Sequence, residues 1–531
     1  MYECPGCGAN MKFDIVSQQM SCAYCGMKAE PHSLQKDADA AVEDTFEVTR
    51  FTCPQCGGEM IGGDQDATAF CSFCGAANIL TGRLTQEKRP GYIIPFKKTK
   101  EDCKRAYARK MRWALFAPRQ LRDPAYIDSF RGIYMPYWTY KLEQKGEVRL
   151  KGKKSYRKGD YVYTEHYDLT GDVDAAYYGF SYDASSTFYD NISESLAPYY
   201  VKDQVEFTPA YLSGFYADIA DVDEDLYREN AMEMANESSW QQICTAKAFK
   251  GYTVSYGSDP SGLTGLLHTQ CSAAHSTMYP VWFLSWRRED RVAYATVNGQ
   301  TGKVVADMPI DVKRFMGVAM ILALPLFIIL NLLGTMKPLT LLILCSLLGI
   351  AAAWVYLLEL RAIRRRENNE SDMALQQKQA EKAGQGIPPK PSPKPSKRES
   401  AKKASNKISE RIVMISTVVM VITLMVVFGG SFFWCLAAVV VCGILYFMCF
   451  WVEKNLENYR HRYSGLIAMG AQAVAAVICL VNPVSDLWYY LGALLIMLSV
   501  LLDILNIIKS YNRLAMRRLP QFDKQGGDDR A

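Results

Sequence analysis

The sequence predicts a multidomain fold in which two small N-terminal ribbons and an α+β soluble domain precede an α-helical transmembrane region of about six spans. Three observations carry this prediction. Eight of the 16 cysteines form four CxxC pairs before residue 75. Residues 90–312 mix helical and strand patterns, and beyond them long apolar blocks alternate with short basic loops. The net charge of +5 averages these different halves, so it indicates no partner by itself.

The paired cysteines form two units of the same design. The first unit lies in residues 1–35 and contains Cys4, Cys7, Cys22 and Cys25. The second lies in residues 50–85 and contains Cys53, Cys56, Cys71 and Cys74. Two residues between cysteines let both thiolates reach one metal from a tight turn, and two such turns supply a closed tetrahedral site. We therefore predict two zinc ribbons, each holding one structural Zn²⁺ ion on its four cysteines.

Glycine follows each CxxC pair, at positions 8, 26, 57 and 75, where it permits the backbone to turn closely beyond the metal. The alternatives to zinc are a redox CxxC pair and an iron–sulfur centre. A thioredoxin-type motif needs one CxxC near a βαβ pattern, whereas this chain has four in matched pairs. A closed four-thiolate site also has no open position for a reactive water. His32 follows the first ribbon and is interpreted as a bystander.

The α+β domain is predicted from local signals within residues 90–312. Thr99 is placed to cap a basic helix that ends near Phe116. Alternating residues between 136 and 182 predict a β meander, and residues 222–249 return to a helical pattern. Strands at 279–286 and 291–297 are followed by Asn298-Gly299, which is a strong hairpin turn signal.

Candidate chemistry in this domain is sparse. The basic helix carries interleaved aromatics and could contact nucleic acid or anionic lipid, but no groove-reading motif accompanies it, so a solvated basic face is the preferred interpretation. His268, Cys271 and His275 could hold a metal only with a fourth ligand. We find no GxSxG, Walker or Rossmann fingerprint in a suitable context. We therefore predict no catalytic and no cofactor-binding residues, and a protein that is not an enzyme.

The membrane region is predicted from apolar blocks of roughly 20 residues, the length that spans a bilayer. Two blocks form a hairpin within residues 313–360, and four more lie within residues 412–510. The basic residues concentrate in the linker 361–411, in the connection 453–464 and in the tail 511–531. The positive-inside rule therefore places these segments in the cytosol. The chain opens on a CxxC pair without a signal peptide, which favours a cytosolic N-terminus as well.

Two features of this region leave a functional alternative open. The linker 361–411 is rich in Pro and Lys and is predicted to be disordered, and its charge could adhere to anionic lipid. Asp503 is the single charged residue in the last apolar block. Such a residue is by default a functional hypothesis, although Lys509 or water could satisfy it near the end of the span.

Four stretches together resemble a known family. They are IIPFKKTKEDCKRAYARKM at 93–111, GIYMPYWTY at 132–140, FTPAYLSGFYADIADVDED at 207–225, and PVWFLSW with NGQTGKVVADMPID within 280–311. The family comprises membrane proteins of low-GC Gram-positive bacteria that are often labelled "TFIIB-type zinc ribbon-containing" or primosomal helicase. The resemblance covers residues 1–312 and implies no established activity. The helicase label is not supported, because a nucleotide-binding loop is missing. The six-span tail is longer than the family pattern.

The function predicted from the sequence is a membrane-anchored cytosolic adaptor that binds a protein partner through its ribbons and its α+β domain. The first alternative is a membrane-tethered nucleic-acid-binding protein, which the many acidic residues of the soluble half disfavour. The second is a transporter with a cytosolic sensor domain, which rests on Asp503 alone.

Overall fold

The computed structural model describes residues 2–34, 45–62, 68–71, 73–75, 77–79, 81–247, 251–255, 267–288, 291–333, 337–369, 373, 444–452 and 464–518. Its strands are β1 (Met11–Asp14), β2 (Gln19–Cys22), β3 (Lys28–Ala29), β4 (Thr45–Thr52), β5 (Glu59–Gly62), β6 (Thr68–Phe70), β7 (Ala77–Ile79), β8 (Thr81–Lys88), β9 (Tyr92–Ile93), β10 (Arg131–Lys158), β11 (Tyr161–Asp183), β12 (Val205–Glu206), β13 (Tyr216–Ala217), β14 (Thr253–Ser255), β15 (Gln270–Arg288), β16 (Arg291–Asn298), β17 (Val304–Ala306) and β18 (Arg517–Arg518). Its helices are α1 (Lys100–Arg112), α2 (Pro124–Ile127), α3 (Asp190–Leu196), α4 (Arg228–Thr245), α5 (Val312–Leu333), α6 (Pro338–Asn369), α7 (residues 444–452), α8 (Ser464–Val481) and α9 (Leu487–Ala515).

One large mixed sheet organises the soluble part, and β10 is its central strand. The sheet runs in the order β12-β9-β15-β10-β13-β5-β4-β8, with β11 and β14 also paired to β10 and β16 paired to β15. The first half of β10 is almost entirely buried, because both faces of the sheet are covered there. Aromatic side chains fill this core, and the rings of Tyr137 and Tyr279 stack with centroids 4.5 Å apart.

The predicted meander between residues 136 and 182 is instead one long hairpin. Strands β10 and β11 pair antiparallel without interruption from Tyr137 opposite Asp183 to Lys158 opposite Tyr161, apart from one bulge at Tyr140. Gly159 lies in the turn with φ of +64°, a conformation that glycine adopts without strain. Alternation predicts strands but not which strands pair, so the sequence pattern alone does not distinguish a meander from one extended hairpin.

The second ribbon is part of the sheet rather than a separate unit. Its strands β4 and β5 pair with each other, and β5 joins β13 through Ile61 opposite Ala217. Strand β8 then pairs with β4 along its whole length, from Thr45 opposite Lys88 to Thr52 opposite Thr81. The predicted boundary at residue 90 therefore does not divide the fold, because the sheet crosses it.

Helix α1 begins as predicted and ends earlier than predicted. Thr99 and Asp102 form a reciprocal capping box at its N-terminus. Its buried face consists of Cys103, Tyr107 and Met111, spaced four residues apart. The helix ends at Arg112 rather than near Phe116, and Pro118 follows the irregular segment after it.

Three helices are long and apolar enough to cross a membrane among the described residues: α5, α6 and α9. The six-span count is therefore not supported. The apolar part of α8, Gly465–Val481, is shorter than the roughly 20 residues that cross a bilayer. Residues 412–443, part of the region in which four spans are predicted, lie outside the described residues. Helix α6 also continues to Asn369, into the segment predicted to be a disordered linker, most of which lies outside the described residues.

The end of α9 joins the long apolar helices to the sheet. The Asn512 amide donates from Nδ2 to the carbonyl of Ile310 at 2.8 Å and accepts at Oδ1 from the Ile310 N–H at 2.6 Å. The Arg291 guanidinium donates to the carbonyls of Arg513 and Met516 at 2.7 and 2.8 Å. Strand β18 then pairs with β16, so the chain re-enters the sheet directly after its last long apolar helix.

We expect Asn512→Ala to loosen this junction, because it removes both partners of the Ile310 backbone at once. A lost pair of this kind costs about 1–3 kcal/mol. Limited trypsin digestion of the full chain should then cleave faster after Lys313 and Arg314. Asn506→Ala is the matched control, since Asn506 makes no hydrogen bond to the sheet among the described residues. Equal cleavage of the two variants would contradict the role given to Asn512.

Candidate metal centres

The structure brings the eight predicted cysteine ligands together in two groups of four. Within each group all four sulfur atoms lie within 4.8 Å of one another. The closest Sγ–Sγ distances are 3.5 Å in the first group and 3.6 Å in the second, too long for a disulfide. A tetrahedral ion with Zn–S bonds of 2.3 Å separates its sulfurs by about 3.8 Å. The donor set and its dimensions therefore fit a closed zinc site.

Four glycines shape the turns that present these thiols. Gly8, Gly26, Gly57 and Gly75 all have φ between +69° and +74°. Each donates its N–H to the carbonyl of the first cysteine of its own pair, at 2.8 to 3.0 Å. A side chain at these positions would strain the left-handed backbone. The repetition of one geometry at all four pairs matches the repetition of CxxCG in the sequence.

Both groups favour a thiolate, which is the form that binds metal. In the first, backbone N–H groups of Cys25 and Tyr24 and the thiol of Cys7 lower the pKa of Cys22 to about 6. In the second, hydrogen bonds from the other three thiols, led by that of Cys56, hold the pKa of Cys53 far below its ordinary value. In each group, therefore, the neighbouring thiols stabilise one thiolate, and in the second group the same hydrogen bonding, led by that with Cys53, raises the pKa of Cys56.

The two sites differ in their surroundings. All four cysteines of the second group are buried, whereas Cys7 and Cys25 of the first are exposed. Two contacts of Phe73 attach the second site to the core of the sheet. The Tyr294 hydroxyl donates to the Phe73 carbonyl at 2.6 Å, and the Phe73 ring lies edge-on to Phe283.

The first ribbon packs against the domain beside Tyr211, and its Met11, Phe13 and Met20 join the domain core. The Phe13 ring lies edge-on to Tyr211 at 5.1 Å, and the Ser213 hydroxyl donates to the Met11 carbonyl at 2.7 Å. His32 contacts the edge of the same Tyr211 ring and belongs to neither cysteine group, in agreement with its interpretation as a bystander.

The other candidates from the sequence do not form a site in the described part of the chain. His268, Cys271 and His275 belong to no cluster of potential ligands there. His275 lies within β15 and packs against the edge of Tyr92, and Cys271 donates to the Ala273 carbonyl. Asp503 is buried, and its carboxylate accepts from the Tyr446 hydroxyl of α7 at 3.5 Å.

Sequence reasoning missed a buried polar network beside β13. Asp218 is 2% exposed and accepts hydrogen bonds from the hydroxyls of Ser185 and Thr187 at 2.6 and 2.5 Å and from the Ile219 N–H at 2.9 Å. Burial raises the pKa of Asp218 to about 6 despite these bonds. The stretch DASST at 183–187 is short and polar, so its sequence resembles that of a surface loop.

Asp218 should make stability depend on pH. The pKa of Asp218 is higher in the folded chain than in the unfolded chain, so protonation of Asp218 stabilises the fold at low pH. This stabilisation is lost as the pH rises from about 4 to 6. We expect wild type to lose roughly 1 kcal/mol relative to Asp218→Asn between pH 5 and pH 7. Paired thermal melts of the two full chains at both pH values measure this. Parallel pH profiles would contradict it.

The two metal sites should respond differently to loss of one ligand. Cys4→Ser and Cys53→Ser should each lose about one zinc per chain, because three thiolates hold the ion poorly. Cys53→Ser should also lower the melting temperature of the soluble domain, since its site lies inside the sheet. Cys4→Ser should mainly expose the first ribbon to protease.

Elemental analysis of the purified full chain measures the zinc content of each variant, and thermal melting measures its stability. Cys103→Ser is the control. Cys103 is buried in α1 and belongs to neither cluster. Retention of full zinc content in Cys4→Ser and Cys53→Ser would defeat the ligand assignment.

Comparison with known proteins finds a bacterial relative. The chain is 31% identical over 315 residues to "Uncharacterized protein YdjG" of Bacillus subtilis (strain 168), an alignment that covers 58% of this chain and 90% of the relative. No protein-family model matches. No solved structure matches either. With this identity and coverage, and with two four-cysteine clusters ahead of a sheet-rich domain and apolar helices, the chain belongs to the YdjG family.

Proposed function

We propose that this protein is a membrane-anchored adaptor whose soluble domain, stabilised by two structural zinc ions, binds a protein partner in the cytosol. The observation that carries the proposal is the far end of the β10–β11 hairpin. All of residues 153–166 are exposed, on both faces of the paired strands. Tyr161, Val162 and Tyr163 are 73%, 68% and 48% exposed. Exposed apolar and aromatic side chains gathered at one place are typical of a binding surface.

The hairpin end, defined as residues 153–166, is also built to stay ordered. Tyr156 stacks on Tyr163 across the strands with centroids 5.7 Å apart, and the Ser155 and Thr164 hydroxyls bond at 2.9 Å. Earlier in β10, Val148 and Leu150 pack with Trp240 of α4 and so anchor the hairpin to the domain. A rigid aromatic surface loses little conformational entropy on binding, which favours affinity.

Zinc in both sites and a cytosolic location of the sheet domain are parts of the same proposal. Two contacts support the placement of the segments after α6 and after α9 on the same side of the membrane as the sheet domain. The Met373 N–H, which follows α6, donates to the Asp190 carboxylate at 3.0 Å, and β18, which follows α9, pairs with β16. The bacterial relative and the two cysteine clusters support a place in the zinc-ribbon membrane family that the sequence resembles.

The alternative of nucleic-acid binding has less support in the basic helix than its sequence suggests. Lys104 forms an ion pair with Asp128, Arg105 pairs with Asp102, and Lys110 donates to the Val304 carbonyl. Three of the basic side chains of this helix are therefore already paired within the domain. A transport role would rest on Asp503, whose carboxylate accepts a hydrogen bond from the Tyr446 hydroxyl.

A photo-crosslinking amino acid at position 161 of the full chain, expressed in its native cells, tests the proposal. We expect a discrete protein adduct that is lost when Val162→Asp is added, because a charge placed in an apolar contact disfavours binding. The matched control carries the crosslinker at Leu84, which is 68% exposed on β8. A nuclease-sensitive adduct would favour the nucleic-acid alternative. Identical adducts from positions 161 and 84 would overturn the proposal.

A further inference from the structure

A cleft of about 1300 Å³ lies where the sheet domain meets the ends of α5 and α9. One wall is the segment around Arg119, and a second is the end of β15 from Trp286 to Arg288. The first turn of α5 and the last turns of α9 close the other sides. Four separate parts of the chain therefore build this cleft, which is large enough for a charged headgroup.

The described residues that line the cleft carry a strong excess of positive charge. Seven of them are Lys or Arg, and one, Asp311, is acidic. Asp311 is already engaged, because its carboxylate accepts from the N–H groups of Lys313 and Arg314 at the start of α5. Glu289 and Asp290, which follow Arg288 in the chain, would still leave a formal charge of +4 if both were counted.

Several of these cations have no partner within the described part of the chain. The side chains of Arg119, Arg288, Lys313 and Lys509 make no hydrogen bond or ion pair there. Arg314 is different, since it donates to the Ala117 carbonyl at 2.6 Å and so fixes one wall. Gathering like charges in one cleft is unfavourable unless an anion or water screens them. A bound anion would relieve this repulsion.

The cleft lies at the depth of lipid headgroups if α5 and α9 span a bilayer. The apolar part of α9 from Leu487 to Ile508 rises about 33 Å at 1.5 Å per residue, which matches a hydrocarbon core of about 30 Å. Lys509 follows it directly. Lys313 and Arg314 likewise precede the apolar run of α5, in which Met320, Ile321 and Leu322 are 68%, 72% and 69% exposed.

We propose that this cleft binds the phosphate headgroup of an anionic phospholipid. The positive charge selects the phosphate, and the position beside apolar α5 accommodates the acyl chains. A basic pocket between helix ends recognises a lipid through its charge and its depth together, whereas a free phosphate would use the charge alone. The site rests on the membrane placement in the proposed function, but it does not depend on the hairpin or on a protein partner.

Titration of the purified full chain with phosphatidylglycerol or phosphatidylcholine, read by native mass spectrometry, tests the site. Arg288→Gln with Lys509→Gln should weaken phosphatidylglycerol binding roughly thirtyfold, from about 1 kcal/mol for each basic residue. The control, Lys153→Gln with Lys158→Gln, removes the same charge from the hairpin end and should bind as wild type does. Arg288→Lys with Lys509→Arg should restore binding, and unchanged zinc content verifies folding.

The remaining outcomes separate the sources of the anion and the two proposals. Equal binding of both lipids, or equal loss in the control variant, would overturn the lipid site. Binding of inorganic phosphate without phosphatidylglycerol would replace it with a free-anion site. A chain that fractionates with membranes yet binds no phosphatidylglycerol defeats the lipid site alone. Recovery in the soluble fraction would defeat the membrane placement on which it rests.

Discussion

The junction between α9 and the sheet is the contact on which the arrangement of the described chain depends. Asn512 holds both backbone groups of Ile310, and β18 extends the sheet immediately after the last long apolar helix. A sheet edge and a helix end each leave backbone groups that require partners. At this junction they satisfy one another, so the sheet is held at a fixed position against the helices. The basic cleft exists because this contact brings the ends of β15, α5 and α9 together.

Local features of the chain were predictable because local chemistry determines them. CxxCG dictates a tight turn with a left-handed glycine, and all four pairs adopt it. The Thr99 capping box and the Asn298-Gly299 turn also follow from neighbours a few residues away: the Asn298 N–H donates to the Lys303 carbonyl across that turn. Apolar composition likewise identified α5, α6 and α9 as candidate spans, whereas the count of six is not supported among the described residues.

Long-range pairing could not be predicted from the sequence. Nothing near Ile61 indicates that it meets Ala217, and nothing in residues 136–182 distinguishes a meander from one extended hairpin. The cleft likewise draws its cations from positions 119, 288, 313 and 509, each of which alone resembles an ordinary surface residue. Asp218 was missed for a related reason, since its burial depends on how strands distant in sequence are assembled.

The unequal burial of the two cysteine clusters makes them unequal in kinetics even if their coordination is identical. Exchange of a metal at Cys7 and Cys25 requires only that a chelator or an oxidant approach from solvent. Exchange at Cys53 and Cys71 requires the sheet to open first, so its rate is bounded by the opening of the domain. A metal ion held by the first cluster would therefore exchange with solvent, whereas one held by the second cluster would be released only when the domain opens. A single chain would then hold one exchangeable and one kinetically trapped ion.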